Sequence, residues 1–235
     1  MQGRVVSLHR WPVKSLGGED VGALDLDGRG AAGDRAHALF DEFKGAPRRL
    51  TVRQVPRMLL WHAAYAEADV PLDDPPEPTV TAPSGERYGW NDPGLADALS
   101  EDLGRRVTLR RDPALMQDLP DSLLVTFGAS HRAVEADLGE PLDARRWRTN
   151  IHVEADADAF AEGGWEGRTL RVGDAELQLL HPCVRCVIPT RDPATADKKP
   201  ELLRYLSAER ATLFGINARP VGRARVAVGD AVTLA

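Results

Sequence analysis

Apolar positions along this chain recur in short runs, some alternating with polar residues and some continuous, and Gly, Pro and Asp punctuate them. Such a pattern predicts strands joined by turns rather than a bundle of helices. Runs at Arg4–Leu8, Val21–Leu26, His37–Asp41, Met58–Glu67, Thr79–Ala82 and Arg106–Arg110 read as strands. Asn150–Glu154, Thr169–Val172, Glu176–Leu180 and Arg223–Leu234 follow in the second half. Three segments carry helical spacing instead. The clearest is capped by Asp92, has Pro93 in its first turn, sets Leu95, Ala98, Leu99 and Leu103 on one side and closes at Gly104. Another runs from Ser130 to Leu138 before Gly139, and a third from Pro200 to about Arg210 buries Leu202, Leu203 and Leu206. The expected fold class is mainly β with a few helices (α+β).

Two stretches share a local pattern, Leu170–Leu177 around Gly173-Asp174 and Val226–Leu234 around Gly229-Asp230. Glycine supplies the positive φ of a tight turn, so both are expected to be hairpins. Pro71–Pro78 is acidic and proline-rich, cannot pair in a sheet and reads as an exposed loop. At 235 residues, 43% apolar and 28% charged, the chain has the make-up of a soluble globular protein with a sizeable core. No stretch reaches the roughly 20 apolar residues of a membrane span. The strand-like run after Met1 lacks the regions of a signal peptide, so the expected location is cytoplasmic. A net charge of −6 argues against nucleic-acid and anionic-membrane partners, which reward a basic face. Any anion site must then be a local pocket.

The chemistry concentrates in His181-Pro182-Cys183-Val184-Arg185-Cys186-Val187-Ile188-Pro189-Thr190-Arg191-Asp192-Pro193, which holds both cysteines of the chain. Two cysteines are too few for a disulfide framework at this size. A structural zinc site needs about four protein ligands. His9, His37, His62, His131 and His152 are scattered, and only His181 lies near the pair. A thioredoxin-like couple would open a helix, whereas Val187-Ile188-Pro189 continues as extended chain. Two inert buried cysteines and a soft, partly exposed thiolate for a soft metal both remain compatible with these residues. Arg185 and Arg191 would favour the thiolate if they face it.

The cysteine segment resembles the motif of the MOSC domain family, related to the C-terminal domain of molybdenum-cofactor sulfurase and to the mitochondrial amidoxime reducing component. In that family the second cysteine of the pair binds molybdenum, which implies Cys186 as metal ligand and catalytic residue. Arg10-Trp11-Pro12-Val13-Lys14-Ser15-Leu16 is similar to the family's Tyr-Pro-Val-Lys-Ser, with tryptophan for tyrosine. It implies Lys14 and Ser15 as a phosphate grip, a point charge beside a hydroxyl donor. Gly33-Asp34-Arg35 resembles the Asp-Arg segment and adds Arg35. Leu50–Met58 is similar to Thr-Ala-Arg-Gln-x-Pro-Arg and places Arg53 at the mouth of the site, with Arg57 as an ion-pair partner. Leu124–Ser130 resembles a segment that sets a hydroxyl, here Ser130, at a helix start where it meets an anion or caps the helix. Trp147-Arg148-Thr149-Asn150-Ile151 is similar to Phe-Arg-Pro-Asn-Ile and implies Arg148 and Asn150 as contacts to the pterin or its phosphate. Pro189 and Arg191 depart from the family's Thr-Thr-Val and point to a more anionic substrate.

The resemblance implies an N-terminal MOSC-associated β domain over residues 1–102 and a MOSC β-barrel over residues 103–235, with strands free to cross between them. It also implies the molybdenum cofactor, and it brings a pyridoxal-phosphate association with it. The implied activity is reduction of small N-hydroxylated substrates, N–OH to N–H, by a molybdenum-dependent oxidoreductase. No iron–sulfur, haem or flavin signature is present, so electrons must come from a separate donor protein. The rival expectations are a non-catalytic cofactor or sulfur carrier using Cys186, and a metal-free binding module. Gly28-Arg29-Gly30-Ala31-Ala32-Gly33 spells a dinucleotide fingerprint, but a strand rather than a helix is expected next, so it reads as a turn that lets Arg35 approach its ligand. No nucleophile elbow of the hydrolase kind occurs.

Overall fold

The alternating runs fold as strands because one face of each finds an apolar interior, and the computed structural model describes them over residues 1–111 and 123–235. In chain order the first are β1 (Gln2–Arg10), β2 (Glu19–Val21), β3 (Ala23–Asp27), β4 (Gly30–Ala31) and β5 (His37–Phe43). Next come β6 (Ala46–Arg49), β7 (His62–Ala64), β8 (Thr79–Thr81), β9 (Arg87–Gly89), β10 (Thr108–Arg111), β11 (Leu123–Phe127) and β12 (Ile151–Ala155). The last are β13 (Thr169–Val172), β14 (Ala175–Val184), β15 (Leu213–Pro220), β16 (Ala224–Ala227) and β17 (Ala231–Leu234). Helices are α1 (Pro93–Leu103), α2 (Gly128–Leu138) and α3 (Pro200–Glu209).

Seven strands close a barrel in the order β1-β12-β11-β15-β14-β13-β17, with β17 returning to β1 and β2 extending the sheet beside it. Val5, Leu8, Val125, Ile151, Leu170, Leu177 and Ile216 fill its interior. The register of β1 on β12 slips between Val5 and Ser7, so Val5 and Leu8 both face inward. A second core gathers Val13, Leu16, Leu39, Met58, Trp61, Trp90, Leu95 and Leu99 between β5, the β7-β8-β9 sheet and α1. Outside the barrel α2 and α3 bury Val134, Leu202 and Leu206 against Trp147, whose ring stacks on Phe214 at 3.7 Å. Pairing crosses between the halves of the chain, as the N-terminal β1 closes the barrel and β16 pairs with β3, while β10 pairs with β5 inside the first half.

The mainly-β expectation with few helices matches this architecture, and the three expected helices are present. The Asp92 side chain accepts the Gly94 N–H at 2.8 Å, and Gly104 closes α1 with φ +64°. Four details differ. The run Met58–Glu67 begins as a 3-10 turn over Pro56–Leu60, because Pro56 seeds helical φ, and only His62–Ala64 pairs as a strand. Gly22 splits Val21–Leu26 between two sheets. Gly173-Asp174 does join a hairpin, β13 to β14, whereas Gly229-Asp230 is a tight turn whose flanking strands part: β16 joins β3, and β17 joins β1 and β13. Strands β11 and β15 carry no alternation because both of their faces are covered.

Candidate cofactor site

Three segments far apart in sequence meet at the end of β1. The Trp11 N–H donates to Asp34 Oδ1 at 2.8 Å, and the Trp11 carbonyl accepts the Arg35 N–H at 2.7 Å. Trp11 Nε1 donates to the Thr149 carbonyl at 3.0 Å. The Lys14 N–H donates to the His37 carbonyl at 2.8 Å, which fixes the turn carrying Lys14 and Ser15. Arg148 reaches back to the Leu16 carbonyl at 2.8 Å, and Arg35 to the Arg148 carbonyl at 3.2 Å. Buried Asn150 accepts from Arg35 at 3.4 Å and from the Leu124 N–H at 3.1 Å, and donates to the His9 carbonyl at 3.3 Å. Lys14, Ser15, Arg35, Arg148 and Asn150 are thereby brought into one neighbourhood.

Three of these residues hold a left-handed backbone: Ser15 at φ +72°, Arg35 at +53° and Arg148 at +53°. Each such conformation costs a non-glycine residue about 1–2 kcal/mol. Ser15 is also 2% exposed, and its Oγ has no hydrogen-bond partner among the described residues. A buried hydroxyl left unsatisfied costs about 1–3 kcal/mol. Strain and an unmet hydroxyl in one basic turn fit a site completed by an anionic ligand, and a pterin phosphate has that chemistry.

An open cleft of about 110 Å³ adjoins this turn, walled by His9, Trp11, Glu19, Asp20, His62, Arg145 and Arg148, with Gly17 and Gly18 as its floor. A side chain at Gly17 would come within 2.4 Å of His62 Nδ1, so the floor must be bare for the imidazole to lie on it. Trp11 has His9 stacked on it at 6.0 Å and the Arg148 guanidinium 4.1 Å from its ring. Burial and the nearby Arg145 guanidinium hold His62 below the usual histidine range.

Cys183 lies near the end of β14 and Cys186 on the loop leaving it; both are half-buried and in no disulfide. Arg185 turns inward, donating to the Trp147 carbonyl at 2.6 Å and to Cys183 Sγ at 3.2 Å. It therefore ties the cysteine loop to the residue just before Arg148, and it faces Cys183 rather than Cys186. Arg191 folds back on the Ala196 carbonyl at 3.3 Å. Among the described residues no cluster of three or more His, Cys, Asp or Glu could hold a metal ion, so a metal here would need a ligand that brings its own donors.

Ser130 and Arg53 are not among the residues that wall the cleft. Ser130 is buried in the third position of α2, where it donates to Glu162 at 2.8 Å and accepts the Phe160 N–H at 2.8 Å. Its hydroxyl is fully committed to the fold, and the residue before α2 in the cap position is Phe127. Arg53 stands exposed on the turn Thr51–Gln54 and Arg57 pairs with Asp102 at 2.7 Å. His9, Asp20, His62 and Arg145 line the cleft and were not singled out from the sequence as a group. The signal for the first two is the β1–β2 pairing, which sets His9 directly opposite Asp20.

Residues 120–233 match the MOSC domain, and residues 2–87 match the MOSC N-terminal beta barrel domain. The chain belongs to the MOSC domain family. MOSC domains are associated with molybdenum-cofactor proteins. Human mitochondrial amidoxime-reducing component 1 is 33% identical over 72 residues, which is 31% of this MOSC protein and 20% of that relative. The YuaD protein of Bacillus subtilis has the same fold, covering 100% of this chain and 96% of its own at a TM-score of 0.51 and 14% identity. YiiM of Geobacillus stearothermophilus aligns over 48% of this chain and 53% of its own, at 15% identity and a TM-score of 0.39. Neither fold nor relatives add support for pyridoxal phosphate. No helix among the described residues is long and apolar enough to cross a membrane.

Proposed function

We propose that this MOSC protein is a molybdenum-cofactor-dependent oxidoreductase that reduces small N-hydroxylated compounds with electrons from a separate donor protein. The observation that carries the reading is the strained basic turn: Ser15, with a buried and unmet hydroxyl, beside Arg35 and Arg148, all at positive φ. Family membership and the amidoxime-reducing name of the human relative supply the chemistry. When bound, the cofactor supplies a two-electron redox centre. Cys186 would hold its metal through a thiolate. Lys14, Ser15, Arg35, Arg148 and Asn150 would hold its phosphate and pterin through charge and hydrogen bonds. Trp11 and the glycine floor shape the cleft beside the anchor, where a small substrate can enter from solvent.

Protein made in a host that synthesises the cofactor should carry near-stoichiometric molybdenum by elemental analysis, and Cys186→Ala should lose it. Loaded protein should then reduce an amidoxime or hydroxylamine with a chemical electron donor. A cofactor-supplied, folded wild type without molybdenum would overturn the reading, and molybdenum without turnover would replace the enzyme with a carrier.

A further inference from the structure

Reduction of an N-hydroxyl group consumes protons as well as electrons: R–NH–OH + 2 e⁻ + 2 H⁺ gives R–NH₂ + H₂O. The N–O bond breaks, one proton ends on nitrogen, and one leaves with the oxygen as water. The electrons come from the separate reductant, so the cleft must supply protons. Among the described residues lining it, the side chains that exchange protons near neutral pH are His9 and His62. Glu19 is taken by Arg10, whose Nε donates to it at 2.7 Å. His62 lies beside Arg145, whose positive charge opposes a second one on the ring.

His9 has the opposite surroundings. Its Nδ1 lies 2.6 Å from Asp20 Oδ1 and its Nε2 3.1 Å from Ser7 Oγ. A carboxylate on one ring nitrogen and a hydroxyl on the other is the arrangement that orients an imidazole to pass a proton along the chain. Exposure gives the chain a direction. Both line the cleft, but the Asp20 side chain is 82% exposed and that of His9 only 11%, so the carboxylate meets bulk water while the imidazole is buried in the wall. Stacking on Trp11 fixes the ring plane. The other charged or titratable groups around it are His152 on β12, opposite Ser7, and Arg148 across Trp11, together with His62, Arg145 and the Arg10–Glu19 pair.

We propose that His9 delivers protons to the reacting N–O group in this cleft and is reloaded from solvent through Asp20. The proposal rests on the reductase reading above. In a loaded wild type, turnover should fall on the alkaline side, where protons are scarce. His9→Gln should lower kcat on the order of 100-fold at pH 7, with KM little changed and the alkaline limb abolished. Imidazole added to His9→Ala should restore part of the rate. Asp20→Asn, a surface change that leaves the core intact, should lower kcat with KM little changed, because the relay loses its link to solvent. Bound molybdenum should be the same in all variants. A second readout needs no cofactor: the imidazole N–H proton signal of a carboxylate-bonded histidine should be present in cofactor-free wild type and absent in Asp20→Asn. A loaded, active wild type whose His9→Gln and Asp20→Asn variants keep its rate and pH profile would overturn the proposal. A loaded wild type that reduces nothing would instead overturn the reductase reading, and with it the need for a donor.

Discussion

His37 is fully buried, sits edge-on to Trp90 at 4.6 Å, and neither of its ring nitrogens has a hydrogen-bond partner among the described residues. Burial, reinforced by the positive Arg111, pushes it from its ordinary 6.5 down to about 4, and the Pro12 carbonyl offsets little of this. The folded state thus keeps His37 neutral in a range where the unfolded chain protonates it. The unfolded state binds more protons between those values, so stability is intact above pH 6.5 and is lost as pH falls toward 4. At about 1.36 kcal/mol per pH unit the full loss is about 3 kcal/mol, of which about 2 kcal/mol has appeared by pH 5. His37→Phe keeps a ring against Trp90 and removes the titration. Urea unfolding of both proteins at pH 7 and pH 5 measures the effect as a difference of differences, which cancels any change in basal stability. The variant should lose about 2 kcal/mol less than wild type between the two pH values. Equal losses would refute the claim that His37 is held neutral. His152, also pushed to about 4 by burial and by His131, titrates alike in both proteins and drops out.

Ser15→Gly should stabilise the cofactor-free protein by about 1 kcal/mol, by releasing the left-handed backbone and the unmet hydroxyl, while lowering molybdenum retention. Thermal melts and elemental analysis on the same preparations check both signs. Ser130→Ala should cost about 2 kcal/mol, because buried Glu162 loses its donor, and leave molybdenum loading unchanged. Asp92→Ala should cost about 1 kcal/mol through loss of the α1 cap, read from the shift in urea midpoint.

The legible parts of the fold were those with a local physical signature. Asp92, Pro93 and Gly104 bounded α1, and Gly173 marked a real hairpin, because caps and turns are decided by neighbouring residues. Strand β15 was not legible: Gly215 and Asn217 are residue types that strands disfavour, yet the strand is buried between β11 and β14, where Asn217 finds His181. Gly229 marked a turn, but which sheets its two strands join depends on distant partners. At the site, family-like segments located Arg35, Arg148 and Asn150. The His9–Asp20 pair had no motif, since only the register of β1 on β2 makes these residues neighbours. Ser130 matched by position, but its rotation toward Glu162 is set by packing that a segment comparison does not contain.

The placement of β1 has a consequence for how the molecule comes to exist. Residues 2–8 leave the ribosome well before residues 151–155 and 231–233, with which they pair. Contacts so distant in sequence are slow to form, since a long loop must close before any of them is gained. Strand β1 therefore waits for these partners until they have been made. The bonds from Trp11 to Thr149 and from Arg148 to Leu16 wait with it, so the anchoring turn is assembled only when the barrel shuts. A cofactor would meet its grip on a finished protein and not on a growing one, which makes delivery after synthesis, rather than capture during it, the natural order of events.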